Sequence, residues 1–412
     1  MKIVDLFSGA GRLTFGFYYN LVAGNFCKTN NKFIFANENN PAAAQAFAKN
    51  FPDVNMQNID IRDLTEDKIK SLIGDEQVDI IIGGPPCQSF STVGQRQFDE
   101  KAKLYEEYLR ILKIVRPKMF LFENVKGLLS MKEIFYETDN EGNILYQVEE
   151  KKKNGRVSKK KKPLISGYGD LIINKIKQQF EEIGDGFGYN IKYEVLNAVN
   201  FGVPQFRERV FIIGIRKDLN IEWNWEFSQK KTYRITIEEA ISDLPNLNEN
   251  ENKTEYVCDP QNDYQKLMRS NCTCLTQHFC GQYGDKIRTV ITNIKQGQGR
   301  YDFNALIDKG IIDEKYRLTS GYANTYGRLV ANQPSTTITN NLCTPSGLRC
   351  IHYGQDRALS PREGARIQSF PDGFQFYGTR TDVTKQIGNA VPPLLAIAVA
   401  QKIKATLGEN ND

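Results

Sequence analysis

Cys87 is the residue in this chain with the clearest capacity for covalent chemistry. It stands in Gly83-Gly84-Pro85-Pro86-Cys87-Gln88-Ser89-Phe90-Ser91, directly after the apolar run Val78-Asp79-Ile80-Ile81-Ile82. The run reads as a buried parallel strand. Gly-Gly-Pro-Pro ends it abruptly and predicts a stiff, extended turn. A thiol at the carboxyl end of a strand lies where open α/β sheets keep their ligands, and there it can act as a nucleophile once ionised. A lone intracellular cysteine is otherwise a small buried hydrophobe, so both readings stand at this point.

Other side chains could serve such a nucleophile. Glu123 follows the strand-like Lys118 to Phe122; apolar surroundings favour a protonated carboxyl, which suits a proton donor, whereas a surface acid just past a strand would do nothing. In Asn200 to Arg209, alternation puts Gln205, Arg207 and Arg209 on one face. Two arginines facing a pocket suit a phosphate or a base carbonyl; an exposed strand face is the plain alternative. Glu38 ends a second strand and could accept from the two hydroxyls of a ribose, and Asp60 follows a short third strand and could accept from an adenine amino group. Each alone is a loop acid or helix cap, but at successive strand ends they outline an adenosine pocket.

The elements that must position these groups follow an alternating pattern. Ile3 to Phe7 predicts a strand, Ser8-Gly9-Ala10-Gly11 a glycine turn, and Leu13 to Val22 a helix, which is the opening of a nucleotide-binding α/β unit. Strands are expected at Lys32 to Ala36, Tyr189 to Val195 and Arg209 to Ile215, and a helix at Lys101 to Val115. The alternation of strands and helices points to the α/β class with an open sheet. Residues 131–165 look like an insertion, with hairpin-turn chemistry at Thr138 to Asn143 and eight basic residues between Lys151 and Lys162. That run is expected to be a mobile loop, either solvated or touching phosphates.

From about residue 221 the alternation fades into an irregular recognition surface, with a basic polar loop at Lys295 to Arg300. Cys258, Cys272, Cys274, His278 and Cys280 cluster but lack paired Cys-x-x-Cys units, so no metal site is expected. Ser360 and Pro361 cap a helix to Gln368, and an apolar helix reaching Leu407 should return to the first domain. The expected division is 1–220, 221–380 and 381–412. Composition adds bounds. Of the 412 residues 40% are hydrophobic and 25% charged, as in soluble globular proteins. No apolar run reaches the ~18 residues of a membrane span, and no secretory signal opens the chain. Eight cysteines suggest reduced thiols and a cytoplasmic setting, and the net charge of +5 permits an anionic partner.

With these residues assembled, the chain resembles the DNA (cytosine-5) methyltransferases, especially bacterial ones of restriction–modification systems. Asp5-Leu6-Phe7-Ser8-Gly9-Ala10-Gly11 is similar to the family's S-adenosylmethionine loop, Gly84-Pro85-Pro86-Cys87-Gln88-Ser89 to its nucleophile motif, and Glu123-Asn124-Val125 to its acid motif. Gln205-x-Arg207-x-Arg209 resembles the paired-arginine motif, and Arg362-Glu363-x-Ala365-Arg366 and Gly388-Asn389-Ala390-Val391-Pro392 the last two motifs. Six motifs in family order span nearly the whole chain. There are two departures: Arg12 stands where the family usually has a second glycine, and Lys101-Ala102-Lys103-Leu104-Tyr105 replaces the usual Arg-Gly-x-Leu-Phe.

The resemblance implies an α/β fold built on a doubly wound mixed sheet, the Rossmann-like methyltransferase fold, with an inserted, smaller target-recognition domain, and methyl transfer from S-adenosyl-L-methionine to cytosine C5 in double-stranded DNA. It implies catalytic roles for Cys87, Glu123, Arg207 and Arg209, with Arg209 holding the base carbonyl and orienting Glu123, and Arg207 near the backbone. It implies cofactor contacts at Phe7, Ser8, Gly9, Gly11, Glu38, Asp60, Ile61, Pro85, Leu104, Asn389 and Val391. It further implies base flipping, a loop at residues 88–100 that closes behind the base, a monomer, no membrane partner, and a cognate restriction endonuclease that acts without direct contact. A transfer-RNA methyltransferase of the same family, and a DNA-binding regulator with a decayed site, are the competing readings.

Overall fold

The computed structural model describes residues 1–86, 104–153, 156–184, 186–227, 230–270 and 272–408. Cys87 and residues 88–100 therefore lie outside the described residues.

Seven strands build the central sheet: β1 (Lys2–Leu6), β2 (Lys32–Asn37), β3 (Met56–Gln57), β4 (Ile80–Gly83), β5 (Met119–Val125), β6 (Tyr189–Asn197) and β7 (Glu208–Arg216). Their spatial order is β6-β7-β5-β4-β1-β2-β3. The first five run parallel, while β7 pairs antiparallel with both β5 and β6. The α/β class expected from the alternation is present, and the antiparallel β7 makes the sheet the mixed one that the resemblance implies. β4 is buried along its whole length, because helices cover both faces. Ile80 and Ile82 join the core on one face and Ile81 the core on the other, which explains an unbroken apolar run instead of an alternating one. Helices 66–73, 104–115 and 172–181 pack on the second face, and helices 41–50 and 393–406 on the first.

The last helix, Pro393–Thr406, does return to the first domain. A Cβ at Gly16 would collide with the main chain of Ala396, so glycine lets the two helices meet backbone to backbone. The expected helix from Leu13 to Val22 is cut short. It spans Thr14–Tyr18, and the chain then turns into a ribbon of Tyr19–Val22 paired with Asn25–Lys28. Ala23 and Gly24 have φ of 49° and 76°, the two positive values that a two-residue hairpin turn needs. That turn outcompetes the continued helix.

The insertion is also more ordered than its composition predicts. Tyr146–Lys153 and Arg156–Pro163 form an antiparallel ribbon that places Lys159 opposite Glu150 and Lys160 opposite Glu149. Lys159 reaches Glu150 at 3.0 Å and Lys162 reaches Glu149 at 2.6 Å. The expectation of a mobile lysine loop overlooked these two acids, which sequence distance hides and strand register reveals.

Among the described residues no strand follows Arg216. The region from 221 is held by short helices and buried ionic knots. Arg366 is fully buried between Asp243 at 2.8 Å and Asp372 at 2.6 Å. Arg357 grips Glu363 at 2.6 Å, while Glu363 and Ser360 cap each other as a capping box on helix 361–367. The apolar core beneath helix 393–406 continues into Trp223, Leu244, Leu342 and Phe370, so this region shares its core with the sheet. Both ring nitrogens of His278 are engaged, with Ser360 Oγ at 2.9 Å and the Pro245 carbonyl at 2.8 Å. Among the described residues no three His, Cys, Asp or Glu side chains are grouped to hold a metal, and no helix is long and apolar enough to cross a membrane.

Candidate active site

A cleft of about 1650 Å³ opens at the carboxyl ends of the parallel strands. The sheet order reverses between β1 and β4, and a crevice at such a switch point is where open α/β sheets bind ligands. Phe7 and Gly9 follow β1, Glu38 follows β2, Asp60 and Ile61 follow β3, Gly84 to Pro86 follow β4, and Glu123 to Val125 end β5; all line the cleft. Leu104 closes one side. Gly321, Tyr322, Asn324 and residues 336–341 form the opposing wall.

The strand-end residues expected to outline an adenosine pocket come together on one wall of the cleft. Phe7 turns the chain with a left-handed φ of 55°, a costly conformation for a bulky residue that clusters at functional sites. Glu38 accepts from Gly9 N at 2.9 Å and from Asn40 N at 2.8 Å, so its carboxylate is fixed at the end of β2. A Cβ built on Gly9 meets no heavy atom within 4 Å, so the loop's main chain fronts open space. Asp60 caps the short helix 61–63 and pairs with Arg62 at 2.8 Å. Hydrogen bonds from Arg62 hold its carboxyl well below the usual carboxylate range. Beneath the loop, Asp5 accepts from Thr14 Oγ1, and burial pushes its carboxyl up to about 7.

Three expected cofactor contacts are not brought to the cleft wall. The Ser8 hydroxyl turns inward and donates to the Asn37 carbonyl at 3.1 Å. Gly11 packs against the Phe51 ring, where a Cβ would clash. Val391 is wholly buried, and Asn389 and Ala390 face the cleft in its place. In each case the motif contributes conformation or packing, which its letters do not separate from contact.

Glu123 lies inside β5, and its surroundings are not the apolar ones its neighbours in sequence suggest. Its side chain is 4% exposed, with Oε1 at 3.2 Å from Arg209 Nε and Oε2 at 3.9 Å from Arg12 Nη1. The register explains the first contact. Arg209 pairs with Val125 and Phe211 with Glu123, so Arg209 and Glu123 are diagonal neighbours on one face. Arg207 is wholly buried instead of facing a phosphate. It donates to the Ile338 carbonyl at 2.9 Å and the Gly388 carbonyl at 2.7 Å. Gln205 donates to Gln368 Oε1 at 3.0 Å and accepts from Ile338 N at 2.8 Å. These two residues tie the segment that leads into β7 to the opposing wall, and of the three on that face it is Arg209 that reaches Glu123. Asn124 belongs to the acid motif, but the sequence gives it no role of its own. It lines the cleft, is 2% exposed, and its amide nitrogen has no hydrogen-bond partner among the described residues. A buried donor without a partner is costly and is the kind of group a bound ligand satisfies.

Comparison with known proteins places this arrangement. A family model described as C-5 cytosine-specific DNA methylase matches residues 1–150 and 162–405; the gap falls on the lysine-rich ribbon. The Type II methyltransferase M.DdeI of Desulfomicrobium norvegicum is 32% identical over 98% of this chain and 88% of that protein. The Type II methyltransferase M.AgeI of Thalassovita gelatinovora is 30% identical over 99% of this chain and 100% of its own length. Among solved structures, a prophage-encoded chain of E. coli superposes with a TM-score of 0.69 at 23% identity, covering 99% of this chain and 100% of that one. At that identity the likeness speaks for the fold alone.

Proposed function

The chain belongs to the C-5 cytosine-specific DNA methylase family and is a DNA cytosine-5 methyltransferase; from that premise we propose that it methylates one cytosine in a defined duplex word, using S-adenosyl-L-methionine and a covalent bond to Cys87. The observation that carries this reading is the convergence on Glu123. Its carboxylate sits between Arg209 and Arg12, and a Cβ at Gly84 would lie only 2.8 Å from Glu123 Oε2. Only Pro85 and Pro86 separate Gly84 from Cys87. The acid and the start of the nucleophile segment therefore share one corner of the cleft.

S-Adenosyl-L-methionine fits the wall formed by Phe7, Gly9, Glu38, Asp60, Ile61, Pro85, Leu104 and Asn389, and when bound there it supplies an electrophilic methyl group on a sulfonium. Cytosine C5 is a poor nucleophile. Addition of the Cys87 thiolate at C6 breaks the ring conjugation and leaves C5 an enamine carbon. Glu123 meets N3 and offsets the charge that develops as sulfur adds. Arg209 holds Glu123 and the base carbonyl. Once the enamine carbon C5 carries the methyl group in place of the lone pair it offered, loss of the C5 proton to a base restores the C5–C6 double bond and expels Cys87 as the thiolate. The reacting atoms lie inside the base stack, so the target nucleotide must leave it. Residues 221–380 present the wall that reads the word, while 1–220 and 381–412 carry the chemistry. The enzyme works as a monomer and protects DNA from a cognate endonuclease it does not touch. Bisulfite sequencing of DNA from cells expressing the chain should show one fully methylated word. Unmodified DNA, with tritium-methyl transfer to RNA instead, would replace this reading by the transfer-RNA one.

Two further results are expected. Glu38→Ala should weaken S-adenosyl-L-methionine binding by about 1.5 to 3 kcal/mol, the range for hydrogen bonds to charged groups; calorimetry giving an unchanged affinity would remove Glu38 from the pocket. Replacing Lys159 to Lys162 with Ser should flatten the log–log salt dependence of DNA binding by about 1 to 3 units, since each neutralised phosphate contributes about 0.9. Lys159 and Lys162 already face Glu150 and Glu149, which favours the low end. The methylated word should not change, because phosphate contacts position without reading sequence. Equal slopes for the two proteins would leave the ribbon with no part in binding.

A further inference from the structure

Arg12 occupies the position where the resembling family usually carries glycine, and its guanidinium does not turn to solvent: the side chain is only 18% exposed. Nη2 donates to the Phe7 carbonyl at 3.2 Å and also to the Gly84 carbonyl, and Nη1 donates to the Asn389 carbonyl at 3.3 Å. Those carbonyls belong to the turn after β1, the turn after β4, and the junction before the last helix. Nη1 then lies 3.9 Å from Glu123 Oε2. Gly84 permits this approach, because a Cβ there would stand 2.7 Å from Arg12 Nη2 and 2.8 Å from Glu123 Oε2.

We infer that Arg12 is a positioning residue for Glu123 and for the strand end that leads to Cys87. The inference rests on the reading of Glu123 as the group that meets the target base. Arg209 reaches Oε1 from β7, and Arg12 faces Oε2 from the glycine loop, so the carboxyl group is held from two sides and its rotation is restricted. The two contacts differ in kind. Arg209 Nε stands at hydrogen-bonding distance, whereas 3.9 Å is an ion-pair separation that leaves Oε2 a lone-pair direction for a ligand. The same guanidinium grips Gly84, so one side chain sets the separation between the acid and the start of the nucleophile segment. A lysine could supply the charge but not a planar fork spanning three carbonyls.

A cation at this position could instead serve as the counter-ion of the cofactor's carboxylate, and the test separates the two roles. Arg12→Met and Arg12→Lys are made in the full chain. Single-turnover methyl transfer to a target duplex and calorimetric binding of S-adenosyl-L-methionine are then measured, and both are repeated in the Glu123→Gln background. Both variants should transfer at least about tenfold more slowly, approaching the roughly 10²-fold that about 1 Å of misplacement costs, with cofactor affinity unchanged. In the Glu123→Gln background the same changes should alter the rate little, because residues acting through one group are not additive. An affinity loss without a rate loss would overturn the inference and assign Arg12 to the cofactor. An equal fold-loss in both backgrounds would also overturn it and make Arg12 merely structural. Arg12→Lys carries the test where Arg12→Met fails to fold. Absence of C5 methylation by the unaltered chain would refute the functional reading itself, whereas an active parent with full-rate Arg12 variants refutes Arg12 alone.

Discussion

Cys87→Ala is expected to abolish methyl transfer, a loss of about 10⁶-fold by comparison with the removal of a protease's serine nucleophile. A duplex carrying 5-fluorocytosine at the target should trap the unaltered chain, because fluorine at C5 blocks the elimination that frees the thiol, and mass spectrometry should place the adduct on Cys87. The other cysteines make this a sharp test. Cys343 and Cys350 are buried. Burial pushes the Cys350 thiol up to about 12 and raises that of Cys343 further, so neither offers a useful thiolate fraction at neutral pH. Cys27, Cys258 and Cys274 are exposed but line no part of the cleft. A free thiol is only a few per cent ionised at pH 7, so the nucleophile needs a cationic neighbourhood. Arg12 and Arg209 set two guanidinium groups around Glu123, and Arg12 also reaches Gly84, directly after β4. An adduct on any other cysteine, or turnover by the alanine variant, would remove the covalent mechanism.

The parts of this site legible in the sequence are those where one local rule decides. β4 could be read from an apolar run ended by Gly-Gly-Pro-Pro, and Ser360 from its capping residues, because period, turn chemistry and capping are short-range. Glu38 could be placed at a strand end for the same reason. What stayed hidden depends on register or on distant partners. The pairing of Glu149 and Glu150 with the lysine run needs two strands aligned. The hairpin at Ala23 and Gly24 is a turn that competes with a helix of similar composition. Alternation puts Arg207 beside Arg209 on a face suited to a phosphate or a base carbonyl, yet its carbonyl partners at Ile338 and Gly388 lie more than a hundred residues away. Glu123 was placed in apolar surroundings by its own strand, while the charges that reach it come from residues 12 and 209. A strand's sequence reports what flanks a residue along the chain. It does not report what the next strand brings to its side.

That lateral contact makes Glu123→Gln the second large effect. The substitution keeps the shape of the side chain and replaces the ionisable carboxyl group by a neutral amide. Acid–base groups contribute about 10²- to 10⁴-fold, and kcat should fall within that range. Cofactor affinity should not change, because Glu38 and Asp60 stand at other strand ends. The fold should survive, since Arg209 keeps the Glu208 carbonyl at 2.7 Å and Arg12 keeps its three carbonyls. Arg209→Leu is the harsher change. It takes one partner from a buried pair, which costs about 3 to 5 kcal/mol where nothing else compensates; Arg12 at 3.9 Å offsets part of that. The order of events supplies the discriminating measurement. If Glu123 offsets charge that develops as sulfur adds to C6, as proposed, the glutamine variant should form its 5-fluorocytosine adduct more slowly but still on Cys87. A variant that forms the adduct at the parent's rate and loses only the later methyl step would show that Glu123 does not act on the addition. A variant that turns over within a few-fold of the parent would show that the carboxylate, for all its burial and its two arginines, serves the fold and not the base.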